Sequence, residues 1–263
     1  MIDDDPYLIP GTKVLRNKVG ATDQTTLDYR ERESVSQRIA EGTPSGDFDL
    51  AHAKAIHRHL FQDVYQWAGQ VRTLEISKDG HQFQPRGYIE TGMADVHRRV
   101  RKANYLRGMD VKGFGAKAGE IIGDVNYAHP FREGNGRTQL EYLRQLGERA
   151  GHPLDPGQLD RDRWIAASIA SHSGNYGPMA SAIEEQVLLA RDLRRAEQLI
   201  ESDRNAKAQM RVLDTVTAKA LPNNPDAARR VLAAGRDELA VMTEQGKPIP
   251  PPDLKSPEPE MDR

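Results

Sequence analysis

The stretch HPFREGNGRTQL, His129 to Leu140, decides how this chain is read. Before it, Ala118, Ile121, Ile122 and Val125 recur at helical spacing, so residues 113–128 form an amphipathic helix that delivers His129 at its C-terminal end. Pro130 stops that helix, because proline disfavours the helical conformation in the residue before it. Gly134 to Gly136 make a turn, and residues 137–150 resume as a helix closed by Gly151. The centre of the chain is therefore helix, glycine-rich turn, helix, with a histidine, an acid and an arginine gathered at the turn.

Helical patterns continue on both sides. Residues 23–41 read as a helix opened by Thr22 or Asp23 and closed by Gly42. Leu50, Ala53, Ile56, Leu60 and Val64 set a helix over 49–67. Further helices are expected over 88–106, 160–172 and 178–186, and one short helix within the Pro- and Gly-punctuated lead-in, 1–20. The convincing β signal is VRTLEISKDGHQFQP, 71–85, where strand-type residues flank Asp79-Gly80, a two-residue hairpin turn. From about 187 a long stripe of Leu189, Leu193, Ala196 and Ile200 runs among charges until Pro222 and Pro225 break it, and a short helix follows over 226–244. The expected fold is all-α with one small β-hairpin. The expected organisation is a catalytic domain over 1–190, a helical extension over 191–246 and a disordered, Pro-rich tail over 247–263.

Composition narrows the function. The chain has 263 residues, with 37 Lys and Arg against 39 Asp and Glu, so its net charge of -2 gives no electrostatic case for general nucleic-acid or membrane binding. It has no cysteine, which excludes disulfides, thiolate metal sites and a cysteine nucleophile. No apolar run approaches the roughly 20 residues of a membrane helix. Met1-Ile-Asp-Asp-Asp-Pro6 has neither a basic nor an apolar leader region, so a cytoplasmic protein is expected, with delivery into another cell left open.

The turn itself suits phosphate chemistry. Glycines bring backbone N–H groups close to a ligand, and a helix N-terminus adds free donors and partial positive charge. Residues Gly134, Asn135, Gly136 and Arg137 thus make an anion nest, with Arg137 adding a charged fork. Glu133 on its rim would repel a phosphate unless Mg²⁺ lay between them. His129 has the chemistry to take a proton from an incoming hydroxyl. Base, metal ligand and oxyanion clamp describe phosphoryl or nucleotidyl transfer. The competing reading is a plain helix–helix turn capped by a histidine.

His129, Pro130, Phe131, Glu133, Gly134, Asn135, Gly136 and Arg137 resemble the signature of the Fic (filamentation induced by cAMP) family, H-P-F-x-[DE]-G-N-G-R-x-x-R. The likeness extends to DPYLIPGTKVLRNKVG, IHRHLFQDVYQWAGQVR and ISKDGHQFQP, over about residues 5–190. It implies a helical bundle with a β-hairpin flap, ATP and Mg²⁺ as cofactors, and transfer of AMP to a Ser, Thr or Tyr hydroxyl of a target protein. It implies His129 as general base, Glu133 as the Mg²⁺ ligand, and Gly134, Asn135, Gly136 and Arg137 on the phosphates. Ser77 and Lys78 are expected near the nucleotide, Ile76, Lys78 and Phe83 at the target-docking flap, and Asn175 and Tyr176 beside the adenine. The family's second arginine is here Leu140. ATP is then held by Arg137 and Mg²⁺ alone, or Arg144 reaches back from one helical turn on, or the reaction differs: a kinase-like phosphoryl transfer, as in the related Doc proteins, or an inactive binding scaffold. Neither QRIAEG (37–42) nor SAIEEQ (181–186) fits the family's inhibitory motif, [ST]-x-x-x-E-[GN], so a toxin restrained by a separate small antitoxin is expected.

Other residues carry bland readings. His57 and His59 point apart on a helix and are not expected to share a metal. Tyr65 and Trp67 read as core, and RRVRK (98–102) as a solvated helix face.

Overall fold

A computed structural model describes residues 5–78 and 80–252; Asp79 of the expected hairpin turn and the tail from 253 lie outside the described residues. The architecture is all-α with one two-stranded hairpin. The chain divides into two compact units, Met1–Leu188 and Leu189–Arg263.

In the first unit α1 spans Gln24–Ala40, α2 Leu50–Phe61, α3 Ile89–Lys102, α4 Val111–Ala128, α5 Asn135–Ala150 and α6 Arg161–Ser171. Caps set the starts of several. Asp23, Asp49, Asp110 and Asp160 each accept a hydrogen bond from a first-turn amide, which satisfies one orphan donor. Strands β1 (Ser77–Lys78) and β2 (His81–Gln82) pair antiparallel, Ser77 opposite Gln82 and Lys78 opposite His81. Gly80 takes the left-handed conformation (φ 81°) that so tight a reversal needs. The core is apolar and contiguous. α4 carries Phe114, Ala118, Ile121, Ile122 and Val125 into it, and α5 carries Tyr142, Leu143 and Leu146. The buried Gln139 side chain on α5 donates to the Ile122 carbonyl of α4 at 3.1 Å, which fixes these two helices around the turn between them.

Three expectations about elements are corrected. The lead-in holds no helix among its described residues: the Pro10-Gly11 turn folds the chain back, so Ile9 N–H donates to Val14 O at 2.8 Å and Arg16 N–H to Tyr7 O at 2.7 Å. Helix α2 stops at Phe61 rather than 67, because tertiary contacts override its periodicity. The Val64 carbonyl accepts from Lys18 N–H at 2.8 Å instead of continuing a helix. Residues 178–186 and the stripe after them are not separate, since nothing breaks the run, and Met179, Ala182, Ile183 and Val187 share one buried face of α7, Gly177–Ser202.

The second unit is built on α8 (Arg204–Ala220) and α9 (Pro225–Glu244). A break at Asp203 divides the expected long stripe, since its carboxylate caps α8 by accepting from the amides of Asn205 and Ala206. Residues 247–252, expected to be disordered, are tied down at a few points although most are exposed. Ile249 is buried, its carbonyl accepts from Asn205 Nδ2 at 2.7 Å, and the Pro250 carbonyl accepts from Gln209 Nε2 at 2.6 Å. No helix among the described residues is long and apolar enough to cross a membrane.

Gly119 of α4 tests how closely the first unit is packed. A Cβ there would lie 2.9 Å from Ala180 N and 3.0 Å from Ala180 Cα, both backbone atoms of α7 that cannot rotate away. Overpacking of this kind costs about 1–3 kcal/mol, more than the roughly 1 kcal/mol that alanine gains over glycine in a helix. Gly119→Ala is therefore expected to lower the melting temperature of the chain in thermal denaturation followed by circular dichroism.

Candidate active site

The loop between α4 and α5 is held from several sides. His129 ends α4 in the left-handed region, φ 41° and ψ 59°, which is rare for a residue with a side chain. Gly134 follows with φ 82°, and a Cβ on it would meet the Phe61 ring at 2.4 Å, so glycine is required there twice over. The Asn135 side chain closes the loop on itself: Oδ1 accepts from Phe131 N–H at 2.9 Å and Nδ2 donates to Phe131 O at 2.7 Å. Arg132 ties the loop to Asp5 at 2.8 Å.

His57, fully buried on α2, braces the loop from beneath. Its Nδ1 accepts from Gly69 N–H at 2.8 Å, so its Nε2 carries the proton and donates to the Glu133 carbonyl at 2.9 Å. Its ring stacks on Phe131 with centroids 3.9 Å apart. His59 turns elsewhere, to the Arg38 carbonyl at 2.8 Å.

The loop opens on a cavity of about 580 Å³. One wall is the turn, with His129, Glu133, Gly134, Asn135, Gly136 and Arg137. The first-turn amides of Asn135, Gly136 and Arg137 have no carbonyl four residues back within α5, and no side chain caps this helix. A Cβ on Gly136 would meet nothing within 4 Å, so its backbone is open to a ligand. The opposite wall comes from α6, where Arg161, Trp164, Ile165, Ser168, Ile169 and His172 fall three or four residues apart on one face.

His129 is set up as a proton acceptor. A carbonyl can only accept, so the 3.1 Å contact with Asn126 O places the proton on Nδ1 and leaves the Nε2 lone pair free. Burial pushes this imidazole down to about 3, against a modest upward pull from the Asn126 carbonyl, so it is neutral at neutral pH. Phe83 from the hairpin lies flat on the ring, centroids 3.6 Å apart.

Arg137 is already partly committed. Its guanidinium lies 2.5 Å from Glu31 of α1, 3.6 Å from Glu133, and 4.7 Å above the Phe61 ring. The buried Glu31 also accepts from the Tyr65 hydroxyl, and burial together with the Glu31 charge keeps that phenol protonated far above its usual range. Glu133 accepts from Gly134 N–H at 2.9 Å and keeps about half of its side chain exposed. Among the described residues no group of three His, Cys, Asp or Glu gathers as a metal cage. One exposed carboxylate beside an anion nest fits Mg²⁺, which takes one or two carboxylates and completes its shell with phosphate oxygens and water.

Several expected positions fall elsewhere. Asn175 and Tyr176 do not line the cavity: the Tyr176 hydroxyl donates to Asp124 at 2.6 Å, and its ring crowds Gly123. Arg144 does not reach back to the cavity, because it is paired with Glu141 at 2.5 Å and Glu148 at 2.6 Å beside a separate pocket that holds Thr43. Phe83 is buried against His129 rather than displayed for a target. Lys78 lines the cavity, whereas Ser77 is exposed on the hairpin, and Ile76, half-buried, offers its carbonyl to Phe83 N–H at 3.2 Å. Leu140 does line the cavity, partly buried. The α6 wall and Asn126 are absent from the sequence-derived set. Their signal was present, since residues 161, 164, 165, 168, 169 and 172 share a helical face, but that spacing also describes ordinary core packing.

Residues 47–146 match the profile described as the Fic/DOC family. The chain is 40% identical over 185 residues to a probable protein adenylyltransferase, y4lH, of Sinorhizobium fredii, covering 70% of this chain and 96% of that protein. It is 30% identical over 179 residues to the probable protein adenylyltransferase Fic of Escherichia coli, covering 67% of this chain and 88% of that one. Against the protein adenylyltransferase VbhT of Bartonella schoenbuchensis it is 38% identical over 187 residues, but this spans 39% of that longer protein. Among solved structures, the BepC effector of Bartonella tribocorum with bound AMPPNP superposes with a TM-score of 0.61 at 29% identity, covering 68% of this chain and 95% of that one. An ADP-bound N-terminal Fic domain from Bartonella quintana gives 0.61 at 28% identity, over 70% and 97%.

The brace beneath the loop has a pH signature. Burial lowers His57 from 6.5 to about 4. As pH falls through 6.5 the unfolded chain takes up a proton there, whereas the folded chain does not until about 4. Stability is therefore complete above pH 6.5 and declines across that window. For a residue this buried the loss by pH 4.5 is about 2–3 kcal/mol. Urea denaturation at pH 7.5 and 4.5 is expected to show a smaller difference for His57→Gln than for the unaltered chain.

Proposed function

Because the chain belongs to the Fic/DOC family, we propose that it is a protein adenylyltransferase, moving AMP from ATP to a Ser, Thr or Tyr hydroxyl of a target protein. The carrying observation is that the free Nε2 of His129 and the open first-turn amides of α5 line one cavity. The target hydroxyl oxygen bonds to the α-phosphorus, the bond from that phosphorus to the pyrophosphate oxygen breaks, and pyrophosphate leaves with the electron pair. His129 Nε2 takes the hydroxyl proton as the new bond forms. The amides of Asn135, Gly136 and Arg137 stabilise phosphate oxygens on which negative charge builds. Asn135 acts here through its main chain, since its side chain is spent on Phe131.

Charge within the site supports a metal-assisted reaction. Arg137 is compensated by Glu31, so the cradle itself is close to neutral and depends on dipoles more than on net charge. Glu133 would hold a Mg²⁺ ion, which would offset the charge of the phosphates. Lys78 and Arg161 add positive charge at the cavity wall.

Leu140 gives a second reading some weight. With Arg144 paired elsewhere, α5 offers no second cation to a distal phosphate. A transfer that uses a different phosphate-linked group, a kinase-like reaction or a binding scaffold fits that feature. We extend the main reading to a toxin role, with a small helical antitoxin as partner; co-purification of such a protein from the native host supports it, and purification of the chain alone from that host counts against it.

ATP labelled on the α- or the γ-phosphate separates these readings when incubated with host lysate and Mg²⁺. The expected result is α-label on a cellular protein, reduced about 10²- to 10⁴-fold in His129→Ala. Transfer of γ-label instead favours the kinase reading, and transfer of neither overturns the enzyme.

A further inference from the structure

Arg72 is the most completely enclosed cation of the first unit, and its partners come from three places. Its side chain is 0% exposed. Its backbone N–H donates to Pro130 O at 2.8 Å. Nε donates to the His129 carbonyl at 2.9 Å, Nη1 to the Leu74 carbonyl at 2.6 Å, and Nη2 to the Gln84 carbonyl. Its one ionic neighbour, Glu75, is 3.5 Å away and mostly solvated. A buried guanidinium with so loose a counter-ion is held by carbonyl dipoles, and these carbonyls are specific. Leu74 lies on the arm entering β1, Gln84 on the arm leaving β2, and His129 is the proton acceptor itself.

The contacts close a ring. Gln84 N–H donates to Tyr127 O at 2.9 Å, at the end of α4, and its neighbour Phe83 lies on the His129 imidazole. His129 holds a left-handed conformation that a residue with a side chain leaves unless neighbours fix it. Its carbonyl is one of those neighbours' handles, and Arg72 grips it. Lysine cannot replace this grip, since three separate acceptors are met by three nitrogens of one rigid plane.

We propose that Arg72 is a positioning residue that couples the hairpin to the general base, so that hairpin placement and imidazole direction move as one. The inference rests on His129 being the base, yet the coupling itself is physical and can be measured without turnover. When the hairpin is displaced, the Arg72 plane turns, and the His129 carbonyl and ring turn with it.

The test is residue-resolved amide hydrogen exchange on the full chain, unaltered and as Arg72→Lys, with Glu75→Gln as the control that removes the charge of the solvated partner while keeping an oxygen to accept from the Arg86 amide. In Arg72→Lys, exchange is expected to rise at least tenfold at Phe83 and Gln84 in the hairpin and at His129 and Phe131 in the loop, together. The α8–α9 amides stay unchanged, as do the amides of Phe83, Gln84, His129 and Phe131 in Glu75→Gln. The ¹⁵N shifts of the His129 ring are expected to move from one tautomer toward an average of two in Arg72→Lys, a change that loosened packing elsewhere would not produce. Loosening of the hairpin without the loop, or no change in either, overturns the proposal. If Arg72→Lys does not fold, exchange of the unaltered chain in rising denaturant decides: a shared opening of the two segments supports the coupling, and separate openings overturn it. Absence of label transfer by the unaltered chain, with the two segments still opening together, would instead count against the proposed reaction.

Discussion

A single neutral imidazole beneath the α4–α5 loop carries much of the site. His57 spans from the Gly69 amide to the Glu133 carbonyl and presses its face on Phe131. The proposed base, the proposed metal ligand and the open amides are all strung on the segment it braces. An unpaired carbonyl or amide in that dry interior would cost about 1–3 kcal/mol, so the loop has one economical arrangement. Asn135 then takes both polar groups of Phe131, which leaves the first amides of α5 as the free ones. The anion nest is thus a by-product of how the surrounding polar groups are satisfied.

The same reasoning explains the electrostatics. Burial above all lowers His57 and His129, nearby Arg137 and Arg72 push the same way, and neither has a carboxylate close enough to reverse it. Both stay neutral, one bracing the loop and the other keeping the free lone pair that the proposed proton transfer needs. Arg137 is the opposite case, a cation restrained by Glu31, which is itself held by the Tyr65 hydroxyl. The line from α1 through Glu31 to Arg137 fixes the guanidinium over Phe61 before any ligand arrives, so little rotamer freedom is left to lose.

Much of this was legible in the residues, for identifiable reasons. The α4–loop–α5 arrangement could be read because proline, two glycines and the periodic apolar faces beside them act locally. The hairpin turn could be read from Asp79-Gly80, though the paired strands are two residues each, too short for alternation to show. Helix ends were lost wherever distant partners decide them, as at Phe61, where Lys18 claims the next turn's carbonyl. Asn175, Tyr176 and Arg144 lie away from the cavity for a related reason. Position on a helix gives direction only to within a face, and Asp124, Glu141 and Glu148 were nearer partners than the cavity. Phe83 was expected at the target-docking flap from the family resemblance; its place above His129 depends on three segments that the sequence does not show to be neighbours.

That place has one more consequence. With its face covered by Phe83 and its Nδ1 spent on Asn126, His129 has only the Nε2 edge left to act. That edge faces the cavity, and a side chain laid along the hairpin would arrive beside it. With Phe83 on the ring, an alcohol presented from the hairpin would have the advantage of fixed direction over one arriving loose from solvent, which would limit futile breakdown of the nucleotide while the enzyme waits.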